Sequence, residues 1–266
     1  MQKKDWEGIE KKYGAELRAL IAKKKITEHQ FLHPNIRFGV VSDTHIGSIY
    51  EQADVLNFAY DIFARNGIKN VYHCGDITDG TNMRRHHEFE IYAHGVDAQV
   101  KTVVKKYPYK KEITTFFCCG NHDYSHYISA GVDIGYLIAQ KREDLVYLGQ
   151  SETDVHLSYG RYAVLMRLFH PNRGGSYALS YAAQKIVESY SGGRKPNILL
   201  LGNFHKALYI PCLRNVFTVY AGCIQRQTLW MKEKSIAAHI GFWIVEFGLG
   251  REINRFRCEF FAHYER

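Results

Sequence analysis

Apolar runs alternate with helix-period segments along the chain from Arg37 onward. Strand-like runs are predicted at IRFGVVSD, NVYHCGD, EITTFFCCGN, RYAVLMRLFH and NILLLGN. Between them, helical spacing of apolar positions occurs in QADVLNFAYDIFARNG, HEFEIYAHGVDAQVKTVVKKYP and GSYALSYAAQKIVESYSGG. Continuous apolar strands separated by helices are typical of sheets that helices cover on their outer faces. We therefore predict an α/β fold, with mostly β-structure after Lys206.

The first 30 residues differ from this pattern. Apolar positions recur there at helical spacing, with Lys and Arg on the other face: Trp6, Ile9, Tyr13, Leu17, Leu20 and Ile21. Such a segment is either a small appendage that contacts DNA or a helix packed on the main domain with a solvated basic face, which we favour. The segment HPN, residues 33–35, then interrupts the chain. We predict an N-terminal helical extension, residues 1–35, followed by a second domain, residues 36–266.

Side chains that can bind metal follow each of the five predicted strands. In chain order they are Asp43 and His45, then Asp76, then Asn121, His122 and Asp123, then His170, and finally Asn203 and His205. In α/β sheets, ligands collect beyond the carboxyl ends of the strands. Oxygen and imidazole donors without a thiolate suit divalent ions such as Mn²⁺, Fe²⁺ or Zn²⁺. Each short motif is common by chance, but the ordered series DxH, GD, GNHD, H and GxxH predicts a metal site.

Charge and cysteine content add two expectations. The net charge of +8 and the isoelectric point of about 9.0 favour a polyanionic partner, although many soluble proteins are mildly basic. The six cysteines have no CxxC spacing and lie mostly in apolar runs, which indicates reduced thiols in a cytoplasmic protein. No apolar stretch approaches ~20 residues, so we expect no membrane span.

The motifs SDTH, CGDITDG, CGNHD, FHPNRGG and GNFHK resemble those of the calcineurin-like metallophosphoesterase superfamily, over about residues 37–247. The resemblance implies that residues 36–266 form a four-layer α/β/β/α sandwich with a two-metal site. It implies that the first metal is held by Asp43, His45 and His205, that Asp76 bridges both metals, and that the second is held by Asn121 and His170. In the same scheme His122 lies beside the phosphate without binding metal.

The chemistry of these residue types agrees with the implied roles. Two ions ~3.5–4 Å apart can clamp a phosphate oxygen and deprotonate a shared water near neutral pH. Asp76 would offset the repulsion between the ions, and the neutral oxygen of Asn121 keeps the site positive enough for a phosphodiester. A cationic His122 would stabilise the developing charge and protonate the leaving alkoxide. Asp123 either orients His122 or caps the helix predicted at YSHYISAG.

Asn203 departs from the superfamily pattern. The superfamily normally has the sequence G-H-x-H here, and the first of these histidines binds the second metal. An asparagine oxygen is a weaker and harder donor than imidazole. We therefore predict that the second ion binds more loosely, with Mn²⁺ or Mg²⁺ favoured there over Zn²⁺. For the site as a whole we expect two divalent ions, with Mn²⁺ favoured and Fe²⁺, Zn²⁺ or Mg²⁺ also compatible.

The segment from His170 to Ala207 narrows the resemblance. It is similar to phage or prophage phosphoesterases related to small subunits of archaeal replicative DNA polymerases, and the break-repair nuclease subunit of the superfamily shares the metal motifs. These relatives imply a nucleic acid as the partner. Arg84, Arg85 and Arg173 are candidate phosphate contacts, although simple turns would also explain their loops. Asp79 caps a turn or orients a ligand, and we favour the turn.

The sequence thus predicts a two-metal phosphodiesterase, a nuclease that hydrolyses DNA or RNA with a metal-bound hydroxide. Two alternatives stay open. The first is a non-catalytic or weakly active accessory subunit of a replication or repair complex, which the substitution at Asn203 favours. The second is a phosphoesterase that acts on a small nucleotide or a phosphoprotein. The sequence carries no indication of the oligomeric state.

Overall fold

Two six-stranded sheets form the centre of the protein. The structure, a computed structural model, describes residues 27–264. The strands are β1 (Thr27–Phe31), β2 (Asn35–Val41), β3 (Asn70–Cys74), β4 (Thr114–Cys119), β5 (Leu145–Gln150), β6 (Glu152–Tyr159), β7 (Tyr162–Phe169), β8 (Ile198–Leu201), β9 (Ala207–Leu213), β10 (Val216–Ala221), β11 (Gly241–Leu249) and β12 (Ile253–Ala262). The first sheet has the order β12-β11-β2-β3-β4-β5, and the second has the order β1-β6-β7-β8-β10-β9.

Helices cover the outer face of each sheet. They are α1 (Ala53–Arg65), α2 (Val96–Lys106), α3 (Asn121–Ala130), α4 (Ile134–Ala139), α5 (Tyr181–Ser189) and α6 (Leu229–Glu233). Apolar side chains of α1, α2 and α4 pack on the first sheet, and those of α5 pack on the second. A separate core, with Phe38 and Val245 from one sheet and Met166 and Leu200 from the other, fills the space between the sheets. The layers are therefore α/β/β/α, as predicted.

All five strands predicted between Arg37 and Asn203 are present, as β2, β3, β4, β7 and β8. The pairs β2–β3, β3–β4 and β7–β8 are parallel. Parallel pairing directs the carboxyl ends of neighbouring strands to the same edge of a sheet. This arrangement brings together the loops that carry the candidate ligands.

The single helix predicted over residues 87–108 is wrong. A short 3₁₀ turn occupies His87–Glu90, and α2 begins only at Val96. Between them, Ile91 forms an isolated bridge with Ser48, and Gly95 has a φ of +82°, which ends any helical continuity. Similarly, the helix predicted from about Ser176 begins only at Tyr181. In both cases the missing first turns are loops beside the candidate site.

Part of the predicted N-terminal extension belongs to the sandwich. Residues 27–31, placed in the helical segment 1–35 by the sequence pattern, form β1, which pairs in parallel with β6. Phe31 packs against the core between the sheets. The helix predicted at residues 6–21 lies outside the described residues. Across the part of the chain that the structure describes, no helix has both the length and the apolar character needed to cross a membrane.

Candidate metal centre

The candidate ligands lie in the loops that leave β2, β3, β4, β7 and β8. Backbone hydrogen bonds hold these loops together: the amide of Asp43 donates to the carbonyl of Gly75 (2.9 Å), and the amide of His45 donates to that of Asp76 (3.1 Å). Gly202 donates in the same way to Phe169 (3.1 Å). These bonds join the loops after β2 and β3 and the ends of β7 and β8, while His170 and Asn203 of the second sheet donate hydrogen bonds to Cys74 and Asp43 of the first.

The first ligand cluster consists of Asp43, His45 and His205. Their ligand atoms lie within 4.8 Å of one another. Oδ1 of Asp43 is 3.2 Å from Nε2 of His205 and 3.9 Å from Nε2 of His45. Oδ1 of Asp43 and Nε2 of His45 are buried, and neither has a hydrogen-bond partner within residues 27–264. Buried polar atoms without a partner are costly, so this pair fits a divalent ion that both atoms would bind.

The second cluster consists of Asp76, Asn121 and His170. Nε2 of His170 is 3.0 Å from Oδ2 of Asp76 and 3.1 Å from Oδ1 of Asn121. Nδ1 of His170 donates to the carbonyl of Cys74 (2.7 Å), which leaves Nε2 as the ligating nitrogen. Oδ2 of Asp76 is also 3.9 Å from Nε2 of His45 in the first cluster. Asp76 therefore lies between the two clusters, as expected for a bridging carboxylate.

The charge of this cluster alters the protonation of His170. Burial lowers the pKa of its imidazole, but the adjacent carboxylates of Asp76 and Asp43 outweigh this effect and raise the pKa to about 9. Without a metal, the site therefore attracts a proton to the position that a cation would occupy. A divalent ion would displace this proton on binding.

His122 is held beside the clusters by two hydrogen bonds. Its backbone amide donates to Oδ1 of Asp76 (2.8 Å), and its Nδ1 donates to the carbonyl of Asp79 (2.6 Å). Its ring centroid is 4.5 Å from that of His45. Burial lowers the pKa of His122 to about 4, so the imidazole is neutral at neutral pH before an anion arrives. With Nδ1 donating, Nε2 is the nitrogen available to a substrate.

Asp79 orients a candidate ligand, so the preference for a turn cap was wrong. Its Oδ1 is 2.9 Å from Nδ1 of His45, and its Oδ2 is 3.2 Å from Nε2 of His87. Gln225 donates to the same Oδ1 at 3.4 Å. A carboxylate behind a ligating histidine fixes the tautomer and the direction of the ring. The signal in the sequence was the second aspartate of GDITDG, but the alternating pattern does not reveal its partners.

Asp123 was predicted either to orient His122 or to cap a helix, and its contacts favour the structural alternative. Its carboxylate accepts hydrogen bonds from the backbone amides of Gly120 (2.9 Å), Ile77 (3.1 Å) and Thr78 (2.8 Å). The prediction that it orients the imidazole of His122 is corrected, since Asp79 provides that contact. Asp123 instead ties the start of α3 to the loop that carries Asp76.

Asn203 lies at the edge of the centre. Its side-chain Nδ2 donates to the carbonyls of Pro171 (2.6 Å) and Arg173 (2.8 Å), and its backbone amide donates to Oδ2 of Asp43 (3.1 Å). Carbonyl oxygens only accept hydrogen bonds, so the atom that faces both must be the amide nitrogen. Oδ1 is then the only side-chain atom of Asn203 that could bind a metal.

The three predicted substrate-binding arginines differ in position. Arg84 and Arg173 line a cavity of about 620 Å³ that also contains Asn203 and candidate ligands of both clusters. Arg84 forms a salt bridge with Glu90. Arg85 is exposed and is not among the residues that line this cavity. The structure thus brings two of the three arginines to the centre.

An α/β/β/α sandwich with two carboxylate and imidazole clusters at its strand ends is the architecture of a metal-dependent hydrolase. The sequence profile of the calcineurin-like phosphoesterases matches residues 36–215, and the chain belongs to this family. These residues therefore form a metallophosphoesterase domain.

Solved structures similar to this chain include three with low sequence identity. A predicted phosphoesterase from Streptococcus pneumoniae is 14% identical (TM-score 0.41) over 86% of this chain and 98% of its own. The phosphoesterase Yfce from E. coli is 13% identical (TM-score 0.39) over 84% and 98%, respectively. GAP50, described as the anchor in the inner membrane complex of Plasmodium, is 12% identical (TM-score 0.48) over 86% and 84%. No curated protein matches the sequence.

Proposed function

We propose that the protein is a metal-dependent phosphodiesterase that hydrolyses nucleic acid at a centre of two divalent ions, with Mn²⁺ as the preferred ion. The observation that carries the proposal is the pair of ligand clusters with Asp76 between them, next to His122, which the implied scheme assigns to neither ion. When bound, two such ions supply Lewis-acid polarisation of a phosphate and a water of lowered pKa.

Each side chain has a distinct task in this proposal. Ligands of the first ion are Asp43, His45 and His205; ligands of the second are Asn121, His170 and Oδ1 of Asn203; Asp76 binds both. The donor set contains oxygens and imidazoles, which suits Mn²⁺, and the amide oxygens of two asparagines disfavour Zn²⁺ at the second position. Asp79 holds His45 in the orientation required for ligation.

His122 is the proposed proton donor. Its Nδ1 is engaged by the carbonyl of Asp79, so Nε2 is free to contact a phosphate oxygen or the leaving group. An incoming phosphodiester anion raises the pKa of the imidazole above the value of about 4 that burial imposes. The protonated ring then stabilises the charge that develops on phosphorus oxygens and transfers its proton to the leaving alkoxide.

Basic residues support nucleic acid as the substrate. The chain has a net charge of +8, and the cavity beside the clusters is lined by Arg84, Arg173, Lys206 and Lys234. Cationic side chains next to a phosphodiester site attract a phosphate backbone and position it without reading its sequence.

Hydrolysis of bis-p-nitrophenyl phosphate tests the catalytic part of the proposal. Added Mn²⁺ should support turnover by the wild type, and Asp76→Ala should abolish both turnover and binding of the second ion. His122→Ala should lower turnover by about 10²–10⁴-fold while binding Mn²⁺ normally, because the imidazole is not a ligand. Absence of turnover with Mn²⁺, Fe²⁺, Zn²⁺ and Mg²⁺ would contradict the proposal and favour an accessory subunit with an inactive centre.

Salt dependence tests the nucleic-acid part. Affinity for single- and double-stranded DNA and RNA should fall steeply between 50 and 200 mM salt, because each neutralised phosphate releases a counterion. The same measurement with Lys206→Gln should give a smaller slope. Affinity that does not change with salt would exclude backbone recognition and leave a small nucleotide or a phosphoprotein as the substrate.

A further inference from the structure

The cavity beside the ligand clusters has an apolar wall that the phosphoesterase chemistry does not require. This wall consists of Met83, Leu179, Trp230, Met231 and Ile236. The short helix α6 supplies Trp230 and Met231, and the loop between α6 and β11 supplies Ile236. The indole of Trp230 is 40% exposed and Leu179 is 47% exposed, although both are large apolar side chains. Exposed apolar side chains grouped in one concave site indicate a ligand with an apolar part.

Local hydrogen bonds hold the backbone segment that carries Trp230. Thr228 caps the short helix α6, and its Oγ1 accepts from the amide of Met231 at 3.2 Å. The amide of Ile236 donates to the carbonyl of Met231 (2.9 Å), and Nε2 of Gln227 donates to the carbonyl of Ile236 (2.8 Å). Met231 itself is buried. These bonds fix the backbone of α6 and of the residues after it, and α6 carries the side chain of Trp230 into the cavity lining.

An arginine lies over the same ring. The guanidinium carbon of Arg84 is 5.5 Å from the centroid of Trp230, while Glu90 binds the guanidinium from its side. Stacked indole and guanidinium groups are the usual partners of unstacked bases, which every nucleotide can engage through its π-face. Arg84 thus links the apolar wall to the basic rim of the cavity.

A loop between His170 and α5 forms another part of the cavity lining and contributes Leu179 to the apolar wall. Asn203 holds its beginning through the carbonyls of Pro171 and Arg173, and Nζ of Lys206 donates to the carbonyl of Ser176 at 2.9 Å. This loop carries Arg173 and Leu179 into the lining of the cavity. The same cavity therefore contains candidate metal ligands, cationic side chains and an aromatic surface.

We propose that this apolar wall binds the unpaired nucleobase of the nucleotide whose phosphate lies at the metal ligands, with Trp230 as the stacking surface. The inference rests on the proposed function, since it places the scissile phosphate at the two clusters. A base can enter the cavity only after it leaves the stack, so the substrate is a single strand or a single-stranded end. Two sources carry this chemistry, a polynucleotide strand and a free nucleotide, and the flanking basic residues favour the strand.

Binding of two oligomers with equal charge tests the inference. The His122→Ala protein with Mn²⁺ slows turnover without removing a proposed ligand. Fluorescence anisotropy measures its affinity for a labelled pentathymidylate and for a labelled chain of five abasic deoxyribose phosphates. We expect the base-containing oligomer to bind about 5- to 150-fold more tightly, which corresponds to about 1–3 kcal/mol for one stacked base. Adding Trp230→Ala should abolish this preference and leave the abasic affinity unchanged, and Trp230→Phe should retain part of it.

Tyr109→Ala is the matched control. Tyr109 is 65% exposed, lies 5.8 Å below the guanidinium carbon of Arg142 and is not part of the cavity lining. Its removal should change neither affinity. A preference that survives Trp230→Ala, or an equal loss for both oligomers, would overturn the inference.

The remaining outcomes separate the two proposals. Equal binding of both oligomers by the otherwise unchanged protein would refute the nucleobase site but not the nuclease. Binding of neither oligomer by a protein that hydrolyses bis-p-nitrophenyl phosphate would refute both the nuclease and the nucleobase site. Thymidine monophosphate should compete at least tenfold more weakly than the pentamer, because it lacks flanking phosphates. Equal competition would overturn the assignment to a strand.

Discussion

Asp79 is a buried carboxylate on which two histidines depend. Burial favours its neutral form, but the hydrogen bonds from His45 and His87 hold the pKa of the carboxyl well below its usual range. His87 is fully buried behind Asp79 and supports its carboxylate. At this scale, the metal centre is built from ligands and from the side chains that orient them.

Asp79→Asn should lower the affinity for the first ion by about 10–100-fold, because an amide oxygen supports the imidazole of His45 less strongly than a carboxylate does. Calorimetric titration with Mn²⁺ would measure this, and excess Mn²⁺ should restore turnover. Asp61→Asn is the control, since Asp61 is an exposed partner of Lys110. An unchanged Mn²⁺ affinity in Asp79→Asn would show that the orientation of His45 does not depend on this carboxylate.

Asn203→His should tighten the second ion, because imidazole is a stronger donor than an amide oxygen. The same change removes at least one of the two hydrogen bonds to Pro171 and Arg173, since one imidazole N–H cannot satisfy both carbonyls. Metal titration should therefore show tighter binding of the second ion, while limited proteolysis should show faster cleavage of the loop. If both metal affinities stay unchanged, Asn203 is not a ligand and its task is to hold the loop.

At the scale of elements, the ligands occupy sharp turns at strand ends. The backbone of several ligand residues is left-handed, with φ of 51° at Asp43, 44° at His45, 54° at Asp76 and 52° at His205. Such conformations cost ~1–3 kcal/mol each for residues other than glycine and persist where surrounding contacts impose them. The hydrogen bonds between neighbouring loops supply those contacts. The turns at the strand ends therefore hold the ligand side chains in the orientation needed to bind metal.

Gly120→Ala should disrupt the centre from within this framework. A Cβ on Gly120 would overlap Oδ1 of Asp76 and lie 2.6 Å from Nε2 of His170. The free energy of unfolding should decrease by more than about 1–3 kcal/mol, as expected for overpacking, and the protein should no longer bind the second ion. Gly131→Ala at the other end of α3 is the control, since no atom lies near its Cβ and only its φ of +65° opposes the change. Chemical denaturation and metal titration should be measured for both variants. Equal losses of stability and of metal affinity in Gly120→Ala and Gly131→Ala would contradict the prediction.

At the scale of the whole molecule, the two sheets depend on contacts across their interface. β1 places His29 against the first sheet, where its Nδ1 accepts from the hydroxyl of Tyr72 (2.6 Å) and its ring lies 4.2 Å from that of Phe116. Burial lowers the pKa of His29 to about 4 from 6.5. The protonated form is therefore poorly accommodated between the sheets.

This shift predicts acid sensitivity. Above pH 6.5 His29 is neutral in both the folded and the unfolded protein and does not affect stability. Between pH 6.5 and 4 His29 is protonated in the unfolded chain but stays neutral in the folded protein. Stability therefore falls as the pH decreases through this window, by at most about 3 kcal/mol from this residue at 1.36 kcal/mol per pKa unit. Urea unfolding from pH 7 to 4 should have a smaller pH slope in His29→Gln. Parallel slopes would show that other groups cause the acid sensitivity.

Several features of the protein were predictable from the sequence because they depend on local order along the chain. The alternation of apolar runs and helical periods predicted the layers, and the polar residues after five strands predicted the ligand-bearing loops, since parallel strands end at one edge. The family motifs added the expected roles of Asp76 and His122. The helix over residues 87–108 failed because tertiary pairing of Ile91 with Ser48 overrides its periodicity.

Other features were decided only by the tertiary structure. The sequence pattern placed Asp79 in a turn, treated Asn203 only as a weak ligand, assigned β1 to a helical extension and did not mark Trp230 at all. Asp79, Asn203 and Trp230 acquire their roles from partners far away in the chain: His45 and Gln225 around Asp79, the carbonyls of a separate loop around Asn203, and Arg84 over Trp230. Periodicity records which face of an element is buried, but sheet order and loop conformation determine which distant side chains meet.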